Sequence, residues 1–224
     1  MKILLTSGGT REPIDAARCV ANTSTGRTGA ELAVRLAELD CEVHAVCAAH
    51  GEIPAGRGVS VTRYSTFKEL DAALREALAA EDFDAVVHLA AVSDYSPVLI
   101  EAGGRRFKAG VAAKLDSSAP ELKITLRRNY KIIGRLKGYA LKAGRRPPLV
   151  VGFKLTSGAS PAEALKKARS VRGADLVVHN DLAEMGLSHP FHVYRCGKKT
   201  ADVAGTEALA GLLFSFLKEA VTCC

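Results

Sequence analysis

The chain has no tryptophan, and only seven Phe and five Tyr among its 224 residues. Its core must therefore be built from aliphatic side chains and alanine. Six cysteines stand at positions 19, 41, 47, 196, 223 and 224, and no two make a CxxC pair, which excludes zinc-ribbon and dithiol redox motifs. The six histidines (44, 50, 88, 179, 189 and 192) show neither HExxH nor HxH spacing, so no metal-site motif is expected; His88 and His179 fall in apolar runs and read as core histidines. No window reaches about 18 consecutive apolar residues, the length that a membrane-crossing helix needs. Neither GxGxxG nor GxxxxGK[ST] occurs, so the usual signatures of dinucleotide and P-loop binding are missing. The opening MKILLTSGG enters a strand at once, without the apolar stretch and cleavage site of a signal peptide. The expectation is a reducing, cytoplasmic setting with free thiols, Cys223 and Cys224 forming an exposed end.

What is present describes a globular α/β chain. Nearly half of the residues are hydrophobic and a quarter are charged, enough for a sizeable core in one domain spanning 1–224. The formal charge of +7 favours anionic partners. The basic residues come in scattered pairs such as Arg105-Arg106 and Arg127-Arg128, with no stripe alternating base and aromatic, so nucleic acid is not the first expectation.

Apolar patterning predicts strands at 2–6, 42–47, 59–63 and 84–89, separated by helices over 24–39 and 66–80. Thr66 and Glu69 form a capping box at the start of the second helix. Further strands are predicted at 122–126, 149–155 and 175–179, helices near 131–142 and 161–171, a hairpin over 191–203 turning at Gly197-Lys198, and a last helix over 206–220. The alternation implies a Rossmann-like, mostly parallel sheet with helices on both faces. Residues 97–121 hold Gly103-Gly104 and Gly110 and few large apolar side chains, and read as a long mobile flap.

Strand ends followed by small residues and a helix are where such folds receive phosphates. Here the first strand runs into SGGTREPID, and the helix opens with NTSTGRTG, where Gly26 and Gly29 permit close backbone approach and Thr23, Ser24 and Thr25 carry hydroxyls.

These residues also resemble a known family. SGGTREPIDAARCVANTSTGRTGAELA is similar to the opening signature of phosphopantothenoylcysteine synthetases (phosphopantothenate–cysteine ligases). LAAVSDYSP, LKITLRRNYKIIGRL, VVGFKL and ADLVVHNDL resemble its later motifs, in the same order, across roughly residues 3–183. AAKLDSS, Lys131 and GFKL resemble the free-standing form, in which no flavin-dependent decarboxylase domain precedes the ligase. The resemblance implies a ligase that joins L-cysteine to 4'-phosphopantothenate. A substrate carboxylate attacks the α-phosphorus of CTP or ATP, CTP being favoured, and pyrophosphate leaves. Cysteine then displaces the nucleoside monophosphate. Mg2+, held largely by the nucleotide, and a homodimer are implied as well; neither a membrane nor a nucleic acid is.

Carried over residue by residue, the resemblance makes Asn22 and Lys114 the catalytic residues, Asn22 at the acyl-phosphate and Lys114 on the flap. It assigns Gly8, Gly9, Thr10, Ser24, Gly26, Ala90, Ala91, Asp94, Lys131, Ile132, Ile133, Phe153 and Lys167 to the nucleotide, with no protein ligand to a metal. Tyr130 stands where the family usually has proline. Lys108, Arg105 and Arg106 compete with Lys114, Lys166 and Arg172 compete with Lys167, and Asn180-Asp181 shapes a wall. Two other classes remain. A short-chain NAD(P)-dependent reductase would need a Tyr-x-x-x-Lys pair on a helix after the middle strands, and none stands there: Tyr95 has Leu99, not Lys, four positions on. A non-enzymatic nucleotide or RNA binder would bind with a steep salt dependence.

Overall fold

Lys2–Ser7 (β1) is an unbroken apolar run rather than an alternating one, the pattern of a strand covered on both faces. Ile3, Leu4 and Leu5 are indeed fully buried. The computed structural model describes residues 1–111, 114–116, 118–184, 186 and 189–222; Cys223 and Cys224 lie outside them, as do positions 112, 113 and 117 of the middle excursion. After β1 come β2 (Arg11–Pro13), β3 (Cys19–Ala21), α1 (Arg27–Glu38), β4 (Glu42–Ala48), β5 (Val59–Tyr64), α2 (Phe67–Ala80) and β6 (Ala85–His88). The second half holds β7 (Tyr95–Ala102), β8 (Arg105–Lys108), β9 (Leu122–Arg128), α3 (Leu136–Lys142), β10 (Leu149–Thr156), α4 (Pro161–Arg169), β11 (Leu176–Asp181), β12 (Pro190–Arg195), β13 (Lys198–Ala204) and α5 (Gly205–Thr222).

The main sheet has eight strands in the order β13-β12-β11-β10-β6-β1-β4-β5. From β11 to β5 every neighbouring pair is parallel, and β12 and β13 close the edge as an antiparallel hairpin. Strand order therefore reverses between β1 and β6, and parallel strands that diverge there leave a crevice at their carboxyl ends. On one face, α1 and α5 cover Ile3, Leu5, Val87, Val151, Val178 and Phe191. On the other, α2 and α3 cover Leu4, Val46, Val86 and Val150, and α4 packs on Val177 and Tyr194. Helices thus lie on both faces, as the alternation of the sequence required. No described helix is long and apolar enough to cross a membrane.

Three expectations change. The first helix begins at Arg27, because Gly26 adopts φ +80 and the preceding NTST is not helical. The stretch between β1 and α1 is a short hairpin, β2 against β3. The excursion over 97–121 is largely regular: β8, β7 and β9 form a separate antiparallel sheet, so the strand expected at 122–126 pairs here and not in the main sheet. A small core of Ile14, Ile100 and Leu115 holds this arm. In addition, the edge hairpin turns at Cys196-Gly197, both with positive φ, one residue earlier than expected.

The capping box of α2 is present: Thr66 Oγ1 accepts from Glu69 N at 3.2 Å, and the Glu69 carboxylate accepts from Thr66 N at 3.2 Å. Thr66→Ala should cost about 1 kcal/mol in urea unfolding with an unchanged denaturant slope; a loss near zero would mean that the cap is redundant.

Candidate functional site

Small residues at the end of β1 allow α1 to approach it closely. A Cβ at Gly29 would stand 2.4 Å from that of Ser7, so the first turn of the helix presses on the strand end. Gly8 has φ +84, and a Cβ there would lie 2.5 Å from that of Ala48 on β4. The buried Tyr64 hydroxyl donates to the carbonyls of Ser7 and Gly8 at 2.9 and 3.0 Å and holds the turn from behind. Gly26 has no side chain to cap α1, and Thr25 Oγ1 accepts from Arg27 N at 3.3 Å; the positive dipole end of the helix stands at the cleft.

The loop after β6 is tied to this turn. Ala91 N donates to Gly8 O at 2.9 Å, and Ala91 O accepts from Thr10 N at 3.2 Å and from Asn22 Nδ2 at 2.8 Å. Thr10 and Ser93 exchange two further hydrogen bonds, through Thr10 Oγ1 to Ser93 Oγ at 2.8 Å and Ser93 N to Thr10 Oγ1 at 3.0 Å. Beneath them, Thr6 Oγ1 accepts from Ala90 N at 3.1 Å and pairs with His88 Nδ1 at 2.9 Å. Burial pushes His88 down to about 4. The ring is neutral at pH 7, and Nδ1 can accept the Thr6 hydroxyl proton. The amide of Asn22 therefore has a set orientation, with one N–H spent on Ala91 and the second N–H and Oδ1 left for a ligand.

Between these elements lies a cleft of about 740 Å³, a size common among small-molecule sites. Its floor is Ser7, Gly8, Ala90 and Ala91, and one side is the Asn22–Gly29 segment. Leu89, Phe153, Leu155 and Leu182 make an apolar end beside Asn180. Among the described residues no carboxylate lines the cleft; Arg27 does, with its guanidinium donating to Glu31 Oε1 at 2.9 Å one turn along α1.

Of the residues singled out in the sequence, Gly8, Asn22, Ser24, Gly26, Ala90, Ala91 and Phe153 line the cleft together. Gly9 and Thr10 lie behind the lining, Gly9 against Asn22 and Thr10 buried on Ser93. Asp94 and Lys131 are joined in an exposed ion pair outside it. Ile132 is buried in the core with α2 and α3, and Ile133 packs on Gly152. Lys167 is exposed on α4, and Lys114 is exposed on the arm. Tyr130 packs under the Arg135 guanidinium, 3.4 Å from its ring centre, and meets the edge of Phe67. Arg27, Leu155 and Leu182 also line the cleft; each falls inside a motif singled out in the sequence, which gave it no role.

Asp181, at the end of β11, fixes the wall that carries Leu182. It accepts from Thr156 Oγ1 at 2.5 Å and from the N–H groups of Gly158, Ala159 and Ala183 at 2.6, 2.9 and 2.9 Å. These donors, Thr156 foremost, hold its carboxyl well below the usual aspartate range.

Comparison with known proteins supplies independent findings. Residues 1–194 match the family described as DNA/pantothenate metabolism flavoprotein C-terminal domain. The chain is similar to the coenzyme A biosynthesis bifunctional protein CoaBC of Thermococcus kodakarensis, 32% identical over 188 residues, which are 83% of this chain and 42% of that protein. It thus spans about two fifths of the length of the curated relatives it matches. A solved structure of the DNA/pantothenate metabolism flavoprotein from Streptococcus pneumoniae shares the fold with a TM-score of 0.84 and 25% identity, over 98% of this chain and 99% of that one. The Cab2 mutant H337A in complex with phosphopantothenate-cysteine shares it with a TM-score of 0.77 at 16% identity, over 99% and 87% of the two chains.

The Asp181 contacts carry a pH signature. Its stabilising contribution is complete above the ordinary aspartate pKa of 3.8 and fades as pH falls below that value towards the depressed native one. Asp181→Asn should lower stability at pH 7, and its stability should decline less steeply than the wild type's between about pH 4 and pH 2; parallel curves in a pH series of urea melts would contradict this.

Proposed function

The chain belongs to the DNA/pantothenate metabolism flavoprotein C-terminal domain family, and from that premise we propose that it ligates L-cysteine to 4'-phosphopantothenate through an acyl-nucleotidylate. The observation that carries the proposal is the cleft at the switch point, free of carboxylates among the described residues, which the N-terminus of α1, Arg27 and a set of hydroxyls line together with the oriented amide of Asn22. Relatives of the chain are coenzyme A biosynthesis proteins, and a protein of the same fold binds phosphopantothenate-cysteine.

A carboxylate is too poor an electrophile to condense with an amine in water. In the proposed first step, the carboxylate oxygen bonds to the α-phosphorus and the bond to the pyrophosphate oxygen breaks. Catalysis of that exchange is mainly positioning and charge stabilisation. The N–H groups at the start of α1, the Thr23, Ser24 and Thr25 hydroxyls and Arg27 receive the phosphates. The apolar end, with Phe153, Leu155 and Leu182, takes the base. In the second step the cysteine amine bonds to the acyl carbon, the nucleoside monophosphate departs with the electron pair of the acyl–oxygen bond, and the amine proton goes to solvent. Asn22 serves here: its free N–H donates to the oxygen that gains charge, and its Oδ1 accepts an N–H of the amine. Gly9 and Thr10 act from behind the lining, by keeping Asn22 and the Ala91 loop in register. Lys114 answers the charge of the triphosphate from the arm, and Asp94, Lys131, Ile132, Ile133 and Lys167 contribute at the rim or through the backbone.

Among the described residues no three His, Cys, Asp or Glu side chains form a group that could hold a metal ion. The cleft supplies neutral oxygens, from Asn22, Asn180 and the hydroxyl run. That donor set suits Mg2+ that arrives on the triphosphate and keeps its own water; such an ion, when bound, lowers the charge on the leaving pyrophosphate. CTP in preference to ATP, a cytoplasmic setting and assembly as a homodimer are parts of the same reading.

Pyrophosphate release should require CTP or ATP, Mg2+ and 4'-phosphopantothenate, and amide formation should further require cysteine. Asn22→Asp should cut turnover roughly a hundredfold or more, as loss of an oxyanion donor does, while the acyl-nucleotidylate accumulates in single-turnover quench. Full turnover of Asn22→Asp would refute the role of the amide. Tight binding of NADPH with no pyrophosphate release would replace the ligase by a reductase.

A further inference from the structure

The hairpin β2–β3 does more than fill the gap between β1 and α1. Asn22 follows directly on its second strand, and its tip grips the arm that bears Lys114. At that tip the Asp15 side chain is wholly inaccessible. Its Oδ1 accepts from the N–H groups of Ala17 and Arg18, both at 2.8 Å. Its Oδ2 accepts from Arg18 Nε at 2.9 Å and from Leu115 N at 3.0 Å, and pairs with Arg18 Nη2. The same Nη2 donates to Leu115 O at 2.9 Å.

Both polar groups of the Leu115 residue backbone are thus held by one Asp–Arg pair, as a neighbouring strand would hold them. The Leu115 side chain is buried against Ile14 and Ile100, and Gly110 N donates to Ile14 O at 3.0 Å beside it. A buried carboxylate persists only where donors replace its water, and Asp15 has them from Arg18, the tip backbone and Leu115. Those donors, Arg18 first, keep the carboxyl well below the usual aspartate range, so it is ionised at any working pH.

We infer that Asp15 and Arg18 are positioning residues: they fix the backbone of Leu115 and thereby where Lys114, one residue before it, stands relative to Asn22. The inference rests on the ligase reading for its catalytic meaning, but not for its geometry. The hairpin is rigidly tied at its other end through Asn22 to Ala91, so the arm and the cleft share one strut.

The test uses the full chain in three readouts. In Asp15→Asn, hydrogen exchange at the Leu115 amide should speed up at least tenfold, since Leu115 N loses a charged acceptor. Tryptic cleavage after Lys114, followed by mass spectrometry, should speed up by a similar factor. In pyrophosphate release, KM for the triphosphate should rise roughly tenfold with a smaller change in kcat, and the effect should vanish when Lys114→Gln is already present. Should Asp15→Asn fail to fold, Arg18→Gln carries the cleavage and KM expectations, because it removes the bond to Leu115 O, while exchange at Leu115 N should change less since Asp15 still accepts from it. Unchanged exchange and cleavage at Lys114–Leu115 would overturn the inference, as would a KM effect that stays fully additive with Lys114→Gln. A wild-type chain that releases no pyrophosphate under any condition would defeat the ligase reading, and exchange and proteolysis would still decide whether the strut exists.

Discussion

The carbonyl oxygen of Ala91 is the point on which the site depends. It accepts from Thr10 N on the loop after β1 and from Asn22 Nδ2 at the end of the β2–β3 hairpin, while the N–H of the same residue donates to Gly8 O. Three segments distant in sequence are thereby joined where β1 and β6 separate. In a parallel sheet the strands on either side of a switch point send their connections to opposite faces, and a crevice opens between them. Without a tie across it, the loops lining such a crevice would be free to wander. Here backbone groups close the gap at its base and leave the upper part open, and the orientation of the Asn22 amide follows from the same tie.

Charge is distributed to suit. Buried and half-buried acids act as struts, each answered by backbone N–H groups: Glu12 by Phe67, Asp15 by Leu115, Asp84 by Lys2, Asp175 by Val150, Asp181 by the 158–159 turn. None of them lines the cleft, where donors and one arginine meet the solvent. A carboxylate at the crevice would repel the phosphates that the proposed reaction brings there. One spent on backbone amides elsewhere stiffens the walls instead.

Legibility in the sequence followed the range of the interactions. The helix α2 could be read because its signals are local: the Thr66–Glu69 box, and Leu70, Leu74 and Leu78 on one face. Strands β1, β6, β10 and β11 could be read because burial on both faces makes them continuously apolar. The arm over 97–121 resisted reading, since its own apolar residues are few and its small core borrows Ile14 from the hairpin. The hairpin resisted as well: each of its strands has three residues, too few for a period. Lys131, Ile132 and Ile133 illustrate a different limit. A motif places them near the site in sequence, yet the turn carries Ile132 inward to the α2–α3 core and gives Lys131 to Asp94.

The succession of the main-sheet strands and of the helices between them, their two-sided packing and the family resemblance of the Gly8–Gly29 and Ala90–Asp94 segments were determined by the sequence alone, because periodicity, capping and small-residue turns act over a few positions. Which of those residues share a cleft was decided only by the tertiary structure. Gly8, Asn22, Ala91 and Phe153 converge because the reversal of strand order sets β1 beside β6 and β10 beyond it, and Asp15 reaches Leu115 because the hairpin folds against the arm. Those are juxtapositions of segments a hundred positions apart and more, and no local pattern encodes them.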